Sequence, residues 1–249
     1  MSEPGRRAEG WSAVLLLVAA GITLGGCGDD DPPASSSTSA APQATGMPAG
    51  SAVPDALPGS PTEVAGALLT TDDLGEGWTD LGPVPFEERG APGCPESGVI
   101  STGEDPARLG EAQSYYAEED PAVITFGESV SVWESADVAR ERLATFASMA
   151  TQCRTFEQEV LDGSTVTVRT EERDAPPLGD EAVALVHRFE LSPDLTVLRD
   201  VVVVRIGDAL VLVDGPDVAE GDSTAASARE QFEELTAQAV EKASRVLAG

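Results

Sequence analysis

The sequence predicts an α+β domain: an antiparallel β-sheet packed by two main α-helices, with one open face or cleft. Three observations predict it. From Phe156 to Val213, runs rich in β-branched residues alternate in polarity and are separated by turn residues, the pattern of successive hairpins. Residues 135–153 and 227–247 instead repeat apolar positions every three or four residues, as amphipathic helices do. Composition changes near position 62, and residues 62–249 have the size of one domain. Hairpins in succession with two helices give a sheet covered on one side by helices, leaving the other side for a cleft.

The amino end precedes that domain. Arg6 and Arg7 lead into "WSAVLLLVAAGITL", fourteen residues from Trp11 to Leu24. A spanning helix needs about 20 apolar residues. A charged start, a short apolar run and the small Gly25 and Gly26 read as a signal peptide over residues 1–26. The arginine pair is also a weak twin-arginine signal, lacking the apolar residues that should follow it closely. "LGGC", Leu24 to Cys27, resembles the lipobox of bacterial lipoproteins. That resemblance implies cleavage before Cys27, a diacylglyceryl group on its thiol and acylation of the new amino end. Two or more acyl chains hold stably to a bilayer where one holds marginally.

Residues 27–61 then form the lipidated Cys27 and a tether of Pro, Ala, Ser, Thr and Gly, charged only at Asp29, Asp30, Asp31 and Asp55. Little here can offset ordering entropy, so a disordered tether is expected, with a coil span of roughly 30 Å.

Charge limits the partners. The chain carries 44 acidic and 15 basic residues, a net charge of −29. Loss of residues 1–26 removes Glu3, Glu9, Arg6 and Arg7, leaving 42 against 13 and the same net charge. Such a surface repels phosphate backbones and anionic headgroups. Nucleic acid is excluded as a partner, and the membrane is expected to be met through the lipid on Cys27. The expected ligand is an unknown small molecule or envelope component.

Within the domain, "LLTTDDLGEGW" reads as a short helical turn capped by Thr70 or Thr71 and stopped by Gly75. "EAQSYYAEE" and "AVITFGESVSVW" read as strands. Ser135 can cap the first long helix, whose apolar stripe is Ala139, Leu143, Phe146, Ala147, Ala150 and Cys153. Asp162-Gly163 suits a tight hairpin turn. In "LRDVVVVRI", Arg199, Val201, Val203 and Arg205 share one face, while Leu198, Asp200, Val202, Val204 and Ile206 share the other. The last helix, Ser227 to Leu247, has a Ser227…Glu230 capping-box pattern and a stripe of Phe232, Leu235, Ala239, Ala243 and Val246.

Cys94 and Cys153 remain in the mature chain. Behind a signal peptide an even pair is most simply a disulfide. A reactive-thiol reading stays open. Two cysteines and one histidine make a poor metal set, and no cofactor is expected.

"LLTTDDLGEGWTD", Trp133 leading into "SADVARERLATFASMATQC", and "VVVVRIGDALVLV" resemble the extracellular sensor domain of PknH-type receptor kinases, shared by actinobacterial lipoproteins without a kinase. The likeness covers about Pro61 to Leu247. It implies an antiparallel sheet with flanking helices, a cleft, and a disulfide at Cys94 and Cys153. The kinase domain carries a second bridge in its later half, and this chain has no cysteine after Cys153.

His187, the single histidine, falls on an apolar strand face with Val183, Leu185, Phe189 and Leu191. A catalytic Ser–His–acid set would have to use it, yet no G-x-S-x-G stretch is present. It reads first as a hydrogen-bonded core or cleft-wall residue. Trp78 and Trp133 are cleft candidates or core anchors, and Arg199 and Arg205 can meet an anion or pair with acidic neighbours. "DGPDVAEGD" gathers Asp214, Asp217, Glu220 and Asp222, oxygen ligands of the kind calcium takes, without EF-hand spacing, so a solvated loop is the plainer reading. The expected function is a lipid-anchored extracytoplasmic sensor or ligand-binding domain without catalysis. Its rivals are a carrier of apolar ligands, which needs a large apolar cavity, and a hydrolase.

Overall fold

The computed structural model describes residues 61–83, 94, 105–118, 125–159 and 165–247. The leader, Cys27, the tether before position 61 and the Asp162-Gly163 turn lie outside these residues.

Two short helices come first, α1 (Pro61–Gly66) and α2 (Thr71–Leu74). Thr70 caps α2 through a reciprocal box: its side chain accepts from the Asp73 N–H, and the Asp73 carboxylate accepts from the Thr70 N–H. Gly75, at φ 98°, ends it. The strands are β1 (Trp78–Gly82), β2 (Arg108–Glu118), β3 (Phe126–Trp133), β4 (Thr155–Glu159), β5 (Thr165–Arg173), β6 (Glu181–Ser192), β7 (Leu195–Ile206), β8 (Ala209–Asp214) and β9 (Val218–Ala219). Helix α3 (Ala136–Gln152) lies between β3 and β4, and α4 (Ala225–Leu247) ends the described chain. All pairings are antiparallel, in the order β1-β2-β3-β8-β7-β6-β5-β4, with β9 against β7.

Helices cover both faces of this sheet. Trp133, Leu143, Phe146, Val168, Leu185, Val203 and Leu210 form one core under α3. Tyr116, Phe126, Val130, Val204, Val211, Phe232 and Ala239 form another under α1 and α4. The alternation along β7 divides Val201 and Val203 from Val202 and Val204, and along β8 it divides Leu210 from Val211 and Val213. One-sided coverage is therefore corrected. All four valines from Val201 to Val204 are buried, so neither face is open at the middle of the sheet.

The helices otherwise follow their periodicity. Ser135 caps α3 by accepting from the Val138 N–H, and the buried stripe takes Met149 where Ala147 was expected. Helix α4 starts at Ala225, two residues early, so Ser227 lies in the first turn and donates to the Thr224 carbonyl. Asp222 tightens that entry by accepting from the Thr224 N–H and hydroxyl. Cys94 and Cys153 form a disulfide across 59 positions, with Cys153 at the C-cap of α3.

Candidate functional site

A band of polar and aromatic side chains crosses the α3 side of the sheet beyond the apolar core. Register places it. Tyr115 on β2 pairs with Gly127 on β3, which pairs with Asp214 on β8. His187 on β6 lies between Thr170 on β5 and Arg199 on β7. Directly paired residues share a face, and diagonal neighbours two positions on stay within reach of long side chains. Asp214 pairs with Val201, so Arg199 is such a neighbour.

Two local devices assemble the band. A Cβ on Gly127 would lie 2.7 and 2.9 Å from the Tyr115 ring, so the missing side chain lets that ring lie across β3 beside Asp214. The second is a bulge. Asp214 pairs with Val201 and Val218 with Leu198, so three residues, 215–217, oppose two on β7. An odd insertion reverses the alternation. Asp217 therefore joins Asp214 on the α3 side and accepts from Arg199 Nε at 2.8 Å and Nη2 at 2.9 Å. Gly215 fits the bulge because a Cβ there would meet the Phe232 ring at 3.1 Å and the Asp200 carbonyl at 3.3 Å.

The Arg199 guanidinium sits 5.3 Å over the Phe189 ring, and His187 meets Phe189 edge-on at 6.3 Å. His187 Nδ1 is 3.0 Å from the Thr170 hydroxyl. Tyr115, His187, Phe189, Arg199 and Asp214 are all half-buried.

Burial, seconded by the Arg199 charge, lowers His187 to about 4, so its imidazole is neutral at physiological pH. Burial raises Asp214 to about 6; Arg199 opposes that rise and Asp217 adds to it. Burial acts to lower Arg199, but the charge and hydrogen bonds of Asp217, with Asp214, outweigh it and leave the guanidinium raised. Burial and the Asp214 charge push the Tyr115 phenol up. At neutral pH the band holds one guanidinium, two carboxylates and a neutral imidazole.

Thr170 and His187 have the spacing of a hydroxyl and its base. Thr170 is 1% exposed, however, and the charged group beside His187 is Arg199, where a triad would place a carboxylate. A base ionising near 4 also takes up protons poorly at neutral pH. The arrangement suits binding better than proton transfer.

The remaining sequence candidates lie elsewhere. Trp133 is fully buried, its Nε1–H donating to Ser131 Oγ at 3.1 Å, with Arg142 and Arg108 at 5.5 and 5.9 Å from its ring. Trp78 packs on the α4-side core. Arg205 is buried, paired with Asp180 at 3.0 Å and Glu181 at 3.3 Å. These three are not part of the band. Three of the four carboxylates of the acidic loop are engaged within the protein: Asp217 holds Arg199, Glu220 holds Arg188, and Asp222 serves α4. Among the described residues no cluster could hold a metal ion. A groove of about 400 Å³ between the end of α3 and β5, lined by Thr151, Arg154, Arg169, Thr170 and Glu172, borders the band at Thr170.

Of the sequence candidates, His187 and Arg199 lie in this band; Tyr115, Asp214 and Thr170, which join them there, were not among the cleft candidates. The available signals were Gly127 inside an apolar strand and Gly215-Pro216 interrupting another.

Sheet and helices define a mostly β, α+β fold. The fold is similar to the crystal structure of the extracellular domain of PknH from Mycobacterium tuberculosis, with a TM-score of 0.52 at 15% identity, covering 76% of this chain and 98% of that one. No protein-family model and none of the curated proteins matches the chain.

Proposed function

We propose that this chain is a lipid-anchored, extracytoplasmic sensor or ligand-binding domain of the PknH type, held to the outer face of the cell membrane by Cys27 and without catalytic activity. The observation that carries the reading is the band itself. Arg199 is locked by Asp217 and Phe189, His187 is neutral and tied to Thr170, and the half-buried surface they form offers directional contacts without an activated nucleophile. The likeness to a kinase's extracellular domain supports the same reading through the fold. "LGGC" and the Pro-, Ala- and Ser-rich tether behind it support the anchor.

Catalysis is tested by exposing the mature protein to ester, amide, phosphate and glycoside probes, then repeating with His187→Ala. No turnover is expected. Turnover lost in the variant while the fold survives would overturn the reading. Cys27→Ala should release the protein from membranes in a carbonate wash, and continued membrane retention would remove the lipid anchor.

A further inference from the structure

The charges in the band are unequally matched. Arg199 spends Nε and Nη2 on Asp217, and its guanidinium carbon lies 5.3 Å over the Phe189 ring. An incoming anion would have to displace that bidentate carboxylate and approach a chain of net charge −29. Asp214 is placed differently. Its carboxylate is half-buried, shares the α3 side with Asp217, and stands beside the Tyr115 ring that crosses Gly127.

We infer, resting on the binding reading above, that the band takes an organic cation: an ammonium or guanidinium group paired with Asp214, its apolar body against the Tyr115 ring that crosses Gly127. Arg199 is hydrogen-bonded to Asp217 and acts on Asp214 through its charge alone, so one guanidinium faces two carboxylates and a cation would supply the difference. Aromatic faces attract such groups and cover their carbon frames. A neutral ligand would leave the carboxylate unmatched, which is costly in a half-dry site. The groups facing Asp214 are Arg199, Asp217 and Tyr115. Burial holds its proton on to about 6, while His187, lowered to about 4, stays neutral above that value.

Three probes of one shape separate the charges: benzylammonium, benzoate and benzyl alcohol. Each is titrated into the full mature protein in lipid nanodiscs at about pH 7.5 and about pH 5, followed by saturation transfer and by the His187 ring signals. Benzylammonium should bind with perturbation at His187. It should weaken about ten- to a hundredfold in Asp214→Asn, as expected for losing one charge-assisted pair. It should also weaken at the lower pH in the unsubstituted protein, which keeps the test independent of whether the variant folds. Benzoate or benzyl alcohol binding more tightly at the same signals would overturn the cation and keep the binding face. No perturbation at the band by any probe would overturn the cation inference and count against the binding face as well.

Discussion

Each side of the sheet holds a carboxylate raised by burial, Glu128 to about 7 on the α4 side and Asp214 to about 6 on the α3 side. Their surroundings differ. Glu128 is 2% exposed; its Oε2 accepts from the Leu69 N–H at 2.9 Å, and its Oε1 is buried without a partner among the described residues. The Tyr116 hydroxyl donates to the Leu69 carbonyl at 2.7 Å, so two strand side chains hold both backbone groups of Leu69 between α1 and α2. Lys242 closes the segment by donating to Asp73 at 2.5 Å. Asp214 sits at a bulge beside the half-buried Tyr115 ring. A raised carboxylate alone does not mark a site. Glu128 is spent on docking the first helices, and Asp214, half-buried, is the carboxylate to which the inferred cation is assigned.

The largest expected effect comes from the disulfide, which fastens the α3 side only. Replacing Cys94 and Cys153 with alanine should cost roughly 4 kcal/mol, the chain-entropy value for a loop of this length. Hydrogen exchange should show α3 opening before α4. Equal loss of protection on both sides would break the asymmetry.

Glu128→Gln should act in the opposite direction. The folded value of about 7 lies above the ordinary 4.5, so the protonated group contributes stability below about pH 4.5, lost as pH rises through 7. Glutamine keeps an acceptor for the Leu69 N–H and removes the charge. Above pH 7 it should stabilise the protein by roughly 1–3 kcal/mol and flatten this part of the pH dependence. His187, lowered from 6.5 to about 4, has the reverse sign: its contribution is present above 6.5 and lost as pH falls through 4. The two windows overlap, so the difference between wild-type and Glu128→Gln melting curves is the quantity to read. A difference independent of pH would contradict a buried, titrating Glu128.

Thr170→Val should have the smallest effect, about 0.5–1.5 kcal/mol for one hydrogen bond, with a matching change in the His187 ring shifts. Unchanged His187 shifts would detach it from Thr170.

Much of this contrast was legible in the sequence. Alternation in "LRDVVVVRI" put Arg199 on the correct face, and the 3–4 spacing found both long helices. The same stretch also carried the correction: four consecutive valines leave no polar face, and a strand apolar on both sides needs cover on both. The band was harder to read because it depends on pairing between strands distant in sequence. Nothing local to Tyr115 or Asp214 says that one faces the other across Gly127. Asp217 joins them only because the bulge reverses the alternation, and a bulge is set by register. Trp133 stayed open between cleft edge and core anchor because an amphipathic ring suits both, and its complete burial under α3 makes it a core anchor.

The most direct measurement is native mass spectrometry of the mature protein from its own cells, comparing wild type, Asp214→Asn and Glu128→Gln. A small molecule should stay with wild type and Glu128→Gln and be lost from Asp214→Asn. A molecule retained equally by all three, or lost only from Glu128→Gln, would contradict the assignment of the binding face to the α3 side.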